Sequence, residues 1–478
     1  VLKFFAAGVT FYGMSTFQGP LLSIRSVNAL GHYTDWIIGH VHGGTLGWNG
    51  LMAAGMFYWL VPRLYGTKLY SRAAANLHFY VGTIGILIYM VAMWASGITQ
   101  GLMWQAETEG GGLLYPNFIE TVDAIRPMYW ARLVGGTAYF LGFCLQAWNL
   151  LMTIKGNEPV ETSIEVVVED TEDEGSWKAV VLSKPVIGTV IAGVLVAGMA
   201  IANSVVSTVL VVAALAVAIG TALAVQAANA GSDGPNWHRL LEGRALLFTV
   251  FTTVAILIGG IAELIPTIVL GAHERTTSAM EPYTALELHG RDVYIQEGCY
   301  TCHSQMIRPF TWENARYPGG VSNAADSVWD HPFQWGSKRT GPDLARESAM
   351  NRGPVWHYNH MLDPRSTSEG SIMPFYTHLR EDPVDFDMTQ SKLGVMQMLG
   401  VPYDNAAVLG GEADAHAQAR SIAAALASDV ELDGLPDGVD IPLEDSQLVA
   451  LIAYLERLGR NESAWVQASS ESTEDSDD

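Results

Sequence analysis

The sequence predicts an all-α membrane protein carrying a mainly α soluble domain at its C-terminal end. Three observations lead there. Uncharged apolar runs of membrane-spanning length recur before Ala272, basic residues return at every second crossing, and beyond Ala272 the chain turns rich in aromatics, prolines and glycines.

A bilayer is spanned by roughly 20 apolar residues. Seven runs qualify, at about 1–19, 36–61, 77–103, 130–153, 185–203, 206–226 and 245–270. Cytoplasmic loops carry an excess of Lys and Arg. Arg63, Lys68 and Arg72 therefore place the loop after the second span inside, and Lys155 ends the fourth span on the same side. Glu107, Glu109, Glu120 and Asp123 suit an outer loop between spans three and four. Lys178 and Lys184 flank the fifth span inside, and Arg239 and Arg244 precede the seventh. The seventh span then delivers the C-terminal domain to the outer side. The chain begins at Val1, already within an apolar run, which predicts a fragment lacking upstream helices.

The predicted divisions are a membrane segment 1–156, an acidic linker 157–184, an uncharged spacer hairpin 185–228 turning near Asn203 and Ser204, an anchor 229–275, a soluble domain 276–462 and a disordered acidic tail 463–478. Net charge is −23, with seven lysines and acid clusters at Glu158–Glu174 and Glu471–Asp478. That balance excludes a basic nucleic-acid surface. The acid fits either an ordinary solvated face or adaptation to high salt. Three cysteines, Cys144, Cys299 and Cys302, do not make a disulfide scaffold.

Cys299-Tyr300-Thr301-Cys302-His303 is a C-x-x-C-H sequence. Its thiols can form thioethers to the two vinyls of one haem, with the histidine as axial ligand. The soluble domain is therefore predicted to be a c-type cytochrome on the outer side, where such haems are matured. A methionine thioether as sixth ligand raises the reduction potential. Met373, in a loop set by Gly370 and Pro374, is the leading candidate. Met306, Met350, Met361, Met388, His357, His360 and His378 are the alternatives. The amphipathic stretch Glu444–Arg460 is expected to pack across the haem-binding helix.

In the second apolar run, "WIIGHVHGGTLGW" holds His40 and His42 two residues apart. A helix turns about 100° per residue, so the two point to nearly opposite faces: they cannot easily ligate one metal ion, but each can ligate a different centre. Gly39, Gly43, Gly44 and Gly47 permit close approach of planar groups or of other helices.

On these residues the chain resembles a known family. "FYGMSTFQGPLLSIRSVNALGHYTDWIIGHVHGGTLGW" is similar to the late part of subunit I of the cbb3-type cytochrome c oxidases, in the haem–copper superfamily. "LFTVFTTVAILIGGIAELIP", "LHGRDVYIQEGCYTCHSQMIRPF", "GSKRTGPDLAR" and "GSIMPFY" resemble the mono-haem c subunit of the same enzyme. The resemblance implies a fusion of the two. It implies His40 as proximal ligand of haem b3, His42 as a ligand of low-spin haem b, and Cys299, Cys302, His303 and Met373 as the haem c set. Tyr12 falls at a tyrosine implicated in proton uptake. Arg126 and Arg132 are candidate partners of haem propionates from their charge and depth.

The implied function is a respiratory-chain oxidoreductase of the bacterial inner membrane. Electrons pass from haem c through haem b to a haem b3–copper site that reduces oxygen to water, coupled to proton translocation. Implied partners are membrane lipid, the remaining oxidase helices, a di-haem cytochrome c subunit, a c-type cytochrome donor and oxygen. The copper ligands, the second haem b ligand and the cross-linked tyrosine are not in this sequence. His78 alone cannot make a copper site, and reads as a hydrogen-bonded residue. Where the family has a glutamate before Gly-Pro, this chain has Gln18, which keeps hydrogen bonds but carries no charge. A nitric oxide reductase relative and a non-catalytic electron-transfer subunit are the alternatives.

Overall fold

The computed structural model describes residues 1–161, 177–199, 204–229, 241, 244–271, 281–428 and 441–460. The helices are α1 (Leu2–Ser23), α2 (Arg25–Gly31), α3 (Asp35–His42), α4 (Leu51–Leu64), α5 (Arg72–Gln105), α6 (Phe118–Ile154), α7 (Lys184–Met199), α8 (Ser204–Asn229), α9 (Ala245–Gly271), α10 (Ala285–Gln296), α11 (Pro354–Leu362), α12 (Thr389–Met398), α13 (Asn405–Ala427) and α14 (Gln447–Arg457). Short one-turn helices join them, and the described residues pair as β only in isolated bridges.

Residues 1–162 and 275–478 form one compact unit, and 163–274 a second. In the second, α7 packs along α8, with Gly188 against Thr221. The expected turn at Asn203, the tail 463–478 and much of the acidic linker lie outside the described residues.

The expectation of seven spans is met only in part. Among the described residues two helices, α5 and α6, are long and apolar enough to cross a membrane on length and composition. The run expected at 36–61 is one unbroken helical stretch from Asp35 to Leu64, in which α3 passes through a π-helical segment, Gly43–Gly50, into α4 with helical dihedrals at both joints. α7, α8 and α9 hold shorter apolar stretches, at Lys184–Leu195, Val212–Ala228 and Ala245–Leu257. α6 starts at Phe118, well before the expected 130. Asn117 and Glu120 form a capping box there, satisfying amides that the start of the helix leaves open.

Glycines set the helix crossings. A Cβ on Gly85 of α5 would lie 2.7 Å from the Gly135 carbonyl, and one on Gly135 of α6 would lie 2.6 Å from the Gly85 carbonyl. The two backbones therefore touch at this crossing, as small-residue contacts between apolar helices allow. Buried polar side chains satisfy backbone that the helices leave open. Asn149 pairs with both amide and carbonyl of Ser71, at 2.9 and 2.8 Å. Tyr139 donates to the Leu46 carbonyl at 2.8 Å, inside the π turn where the regular ladder is interrupted.

In the C-terminal domain, α10 opens on a capping box of Thr284 and Glu287. The amphipathic stretch expected over 444–460 is α14, capped by Ser446, and it packs across α10 as expected. Gly290 sits against the Ala450 backbone, and Tyr294 meets Tyr454 at 5.3 Å between ring centres. Gly290→Ala pushes a methyl into that carbonyl. Overpacking of this kind costs about 1–3 kcal/mol. Denaturant unfolding followed by the absorbance of this domain should report that loss.

Candidate functional site

The C-x-x-C-H motif begins where α10 ends. Gly298 takes a left-handed φ of 67°, and Cys299–Thr301 then form a single tight turn. Gly298 supplies a backbone shape that a β-carbon resists, so the motif is turned off the helix just before its first thiol. Cys299, Cys302, His303 and Met373 all line one cavity of about 370 Å³. Leu451 and Leu455 of α14 and Ile372 supply apolar wall.

His303 donates from Nδ1 to the Pro342 carbonyl at 2.8 Å. That bond leaves Nε2 as the free lone pair, the arrangement an iron-ligating histidine uses. Burial pushes the His303 imidazolium down, which favours the neutral ring a ligand must be. Gly341 lies flat against the imidazole, and a Cβ there would come 2.7 Å from Nε2. The donor set, the thiol pair and the apolar wall fit a covalently held haem c.

Of the alternatives for the sixth ligand, Met350, Met361, His357 and His360 also line the cavity, whereas Met306, Met388 and His378 do not. His360 is engaged with Thr367 at 2.6 Å and stacked on Trp356. His357 is 2% exposed, and neither ring nitrogen has a hydrogen-bond partner among the described residues. Burial, then Arg352, pushes its pKa down to about 3. Sequence reading singled out neither Arg316 nor Gly341. Arg316 lines the cavity, its Nη2 without a hydrogen-bond partner among the described residues, while Nη1 donates to the Pro116 carbonyl at 3.1 Å.

His40 and His42 occupy the last turn of α3 and share no partner. His42 donates from Nδ1 to Ile38 at 2.8 Å, stacks on Tyr89 of α5, and has Nε2 3.3 Å from the Tyr89 hydroxyl. The nitrogen open to iron is the one Tyr89 now approaches. His40 Nδ1 is buried with no hydrogen-bond partner among the described residues. The neighbouring glycines serve helix approach: Gly39 faces Trp94, Gly43 faces Met90, Gly44 faces Ser15 and Gly47 faces Phe11. Tyr12 is exposed and tilted over Trp48. The Gln18 Oε1 is buried without a hydrogen-bond partner among the described residues. His78 is fully buried, 3.1 Å from the Tyr58 hydroxyl, as a hydrogen-bonded core residue. Arg126 is taken by Asp123 in an exposed pair, so its charge is already matched at the surface. Arg132 lies over the Tyr129 ring.

The C-terminal domain and the helices meet through a buried ionic cluster. Arg339 is 2% exposed, and pairs with Glu313 and Asp343, each at 3.0 Å. Its guanidinium lies 4.4 Å from the centre of the Tyr33 ring, and Tyr33 holds a left-handed φ of 66°. Burial alone would push the Glu313 carboxyl up. Arg339, then Arg308, overcomes this and holds it below the usual range. Arg308 also donates to the carbonyls of Asn28 and Ala29, at 3.2 and 3.3 Å.

Residues 1–138 match the family model "Cytochrome C and Quinol oxidase polypeptide I", and residues 238–461 match "Cytochrome C oxidase, mono-heme subunit/FixO". Two separate stretches of the chain thus match components of a cytochrome c oxidase, and a cbb3-type subunit is among its relatives. A subunit I segment is joined in it to a mono-haem subunit, and both families imply haem cofactors. Similar proteins include a bacteroid "Cytochrome c oxidase subunit 1 homolog" of Bradyrhizobium diazoefficiens, 50% identical over 36% of this chain and 31% of its own length. "Cytochrome c oxidase subunit 1" of Rhodobacter capsulatus is 48% identical over 35% of this chain and 31% of its own. "Cbb3-type cytochrome c oxidase subunit CcoN1" of Stutzerimonas stutzeri is 44% identical over 34% of each. The oxidase chain thus spans about a third of the length of the curated relatives it matches.

Two outcomes follow from this geometry. Gly341→Ala displaces the His303 ring while leaving both thiols in place. The haem should stay covalently bound yet become able to bind carbon monoxide, seen as a new haem c band in the spectrum of the reduced protein with carbon monoxide minus that of the reduced protein without it. The second concerns His32, which stacks on Tyr33. Burial first, then Arg308 and Arg339, lowers its pKa from 6.5 to about 4. The unfolded chain therefore takes up a proton that the folded one refuses. Stability is full above pH 6.5 and falls as pH drops towards 4, by ~2 kcal/mol after screening. Unfolding midpoints across that window should flatten in His32→Gln.

Proposed function

We propose that the chain supplies the electron-entry domain and one haem-binding wall of a cbb3-type oxidase that reduces oxygen to water and translocates protons. The observation that carries this is a C-x-x-C-H motif and an H-x-H helix built into one compact unit. The similarity to cytochrome c oxidase subunits favours oxygen over nitric oxide as substrate.

Cys299 and Cys302 would hold haem c by thioethers, with His303 and Met373 as its axial pair. His42 would ligate haem b and His40 haem b3, with copper held by residues outside this chain. Bound haem supplies reversible one-electron chemistry at its iron. The protein's own contribution is positional. Pro342 keeps His303 in one tautomer. Ile38 does the same for His42. The apolar wall around His303 excludes water and favours a high potential. Tyr12 is the candidate for proton uptake.

The C-terminal domain contacts the helix ends near residues 28–35 and 107–116, and the loop bearing Lys68 joins the other ends of α4 and α5. Acidic and basic loops therefore lie at opposite ends of the helices, which supports an outer cytochrome domain in a bacterial inner membrane. The further partners are lipid, the remaining oxidase helices, a di-haem cytochrome c subunit and a c-type cytochrome donor.

Haem analysis of the purified complex tests this reading. Both b and c haem should be present, with oxygen consumed faster than nitric oxide. A c haem without b haem, or a preference for nitric oxide, overturns it.

A further inference from the structure

One short loop grips both the haem-attachment motif and the helix of the histidine pair, and the geometry points to Asp35 and Lys338 as the residues that hold the two in register. Lys338 Nζ lies 2.9 Å from Asp35 Oδ1, in a pair whose carboxylate is fully buried. α5 holds Asp35 from the other sides. Ser96 donates to Oδ2 at 2.6 Å, and Gln100 Oε1 accepts from the Asp35 amide at 2.7 Å. Next to the lysine, the Arg339 amide donates to the Tyr33 carbonyl at 2.8 Å.

The same loop then turns to the motif. The amides of Thr340 and Gly341 donate to the Cys302 carbonyl at 2.8 and 3.0 Å. The Pro342 carbonyl takes the Nδ1 proton of His303 at 2.8 Å. Residues 338–342 are thus tied at one end to the first turn of α3 and at the other to the C-x-x-C-H turn. His42 is seven residues along α3 from Asp35, about 10 Å at the helical rise.

A buried ion pair is a weak source of stability, because desolvation offsets most of the attraction. It does impose one geometry, since either charge left alone is strongly penalised. The contacts of Arg308, Thr311 and Arg316 hold the same faces together, but none touches the loop that supports His303. Asp35 and Lys338 touch neither histidine ring. They are positioning residues, and their effect on electron transfer rests on the proposed roles of His42 and His303. The docking itself does not.

The test uses the assembled oxidase carrying Asp35→Asn, and a second form with Asp35→Asn and Lys338→Met together, which leaves no unpaired charge and guards against misfolding. Hydrogen exchange reads the docking through the Arg339 and Asp35 amides. Flash photoreduction reads the transfer, in which the electron lost by haem c is the one gained by haem b. Both forms should exchange these amides faster. Transfer should slow by about tenfold, as small misplacements cost, with haem content and haem c potential unchanged. Unchanged exchange and rate in the double variant overturn the proposal. If the unaltered complex holds no b haem, the reading of His42 fails instead, and the exchange result alone decides the docking.

Discussion

The buried guanidinium of Arg339 is the constraint on which the junction depends. Each of its nitrogens donates to a named partner: Nε to Ser304, one Nη to Glu313, and the other to Met306, Glu313 and Asp343. Charge in such a place is tolerable only when every donor is matched. The matching forces Ser304, Glu313 and Asp343 to converge from separate stretches of the cytochrome domain. Tyr33 of the membrane segment closes the remaining face, and its left-handed backbone is held by that contact. Positive φ at a bulky residue persists only where the surroundings over-determine it.

From that point the architecture runs outward in two directions. Towards the cytochrome, Asp343 accepts from Ser304 at 2.5 Å and from the Met306 amide at 2.9 Å, which anchors the chain just after the haem-attachment turn. Towards the helices, the Tyr33 turn launches α3, whose first residue is Asp35 and whose last turn carries the histidine pair. α3 is pressed on α5 by glycines: a Cβ on Gly39 would meet the Trp94 ring, and one on Gly97 would meet the Trp36 backbone. One packed path therefore connects the H-x-H helix and the C-x-x-C-H turn, which are more than 250 residues apart in sequence, as the numbers His42 and Cys299 state.

Much of the site was legible beforehand because its chemistry is local. A C-x-x-C-H turn and an H-x-H helix are each defined within five residues, and their spacing carries their meaning. Met373, expected from its Gly370 and Pro374 loop, lines the cavity, as do four other candidates. The span count was less legible. Apolar runs do not reveal that α3 runs into α4 through a π-helical segment, or that a capping box starts α6 ahead of its apolar stretch. Arg126, suggested from charge and depth as a propionate partner, pairs in this structure with Asp123 one turn away. Gly39, Gly43, Gly44 and Gly47 were read as room for planar groups or helices, and the described neighbours are helices.

By itself, the sequence determined the all-helical class, the order of the elements, the attachment turn and the opposed faces of His40 and His42. Each depends on periodicity or on spacing along a few residues. Only the tertiary structure decided that Pro342 sets the His303 tautomer, that Lys338 meets Asp35, and that Arg339 closes on Tyr33. Those contacts join residues some forty to three hundred positions apart, read from their numbers. No local pattern encodes them, because a buried charge finds its partner only after the chain around it has packed.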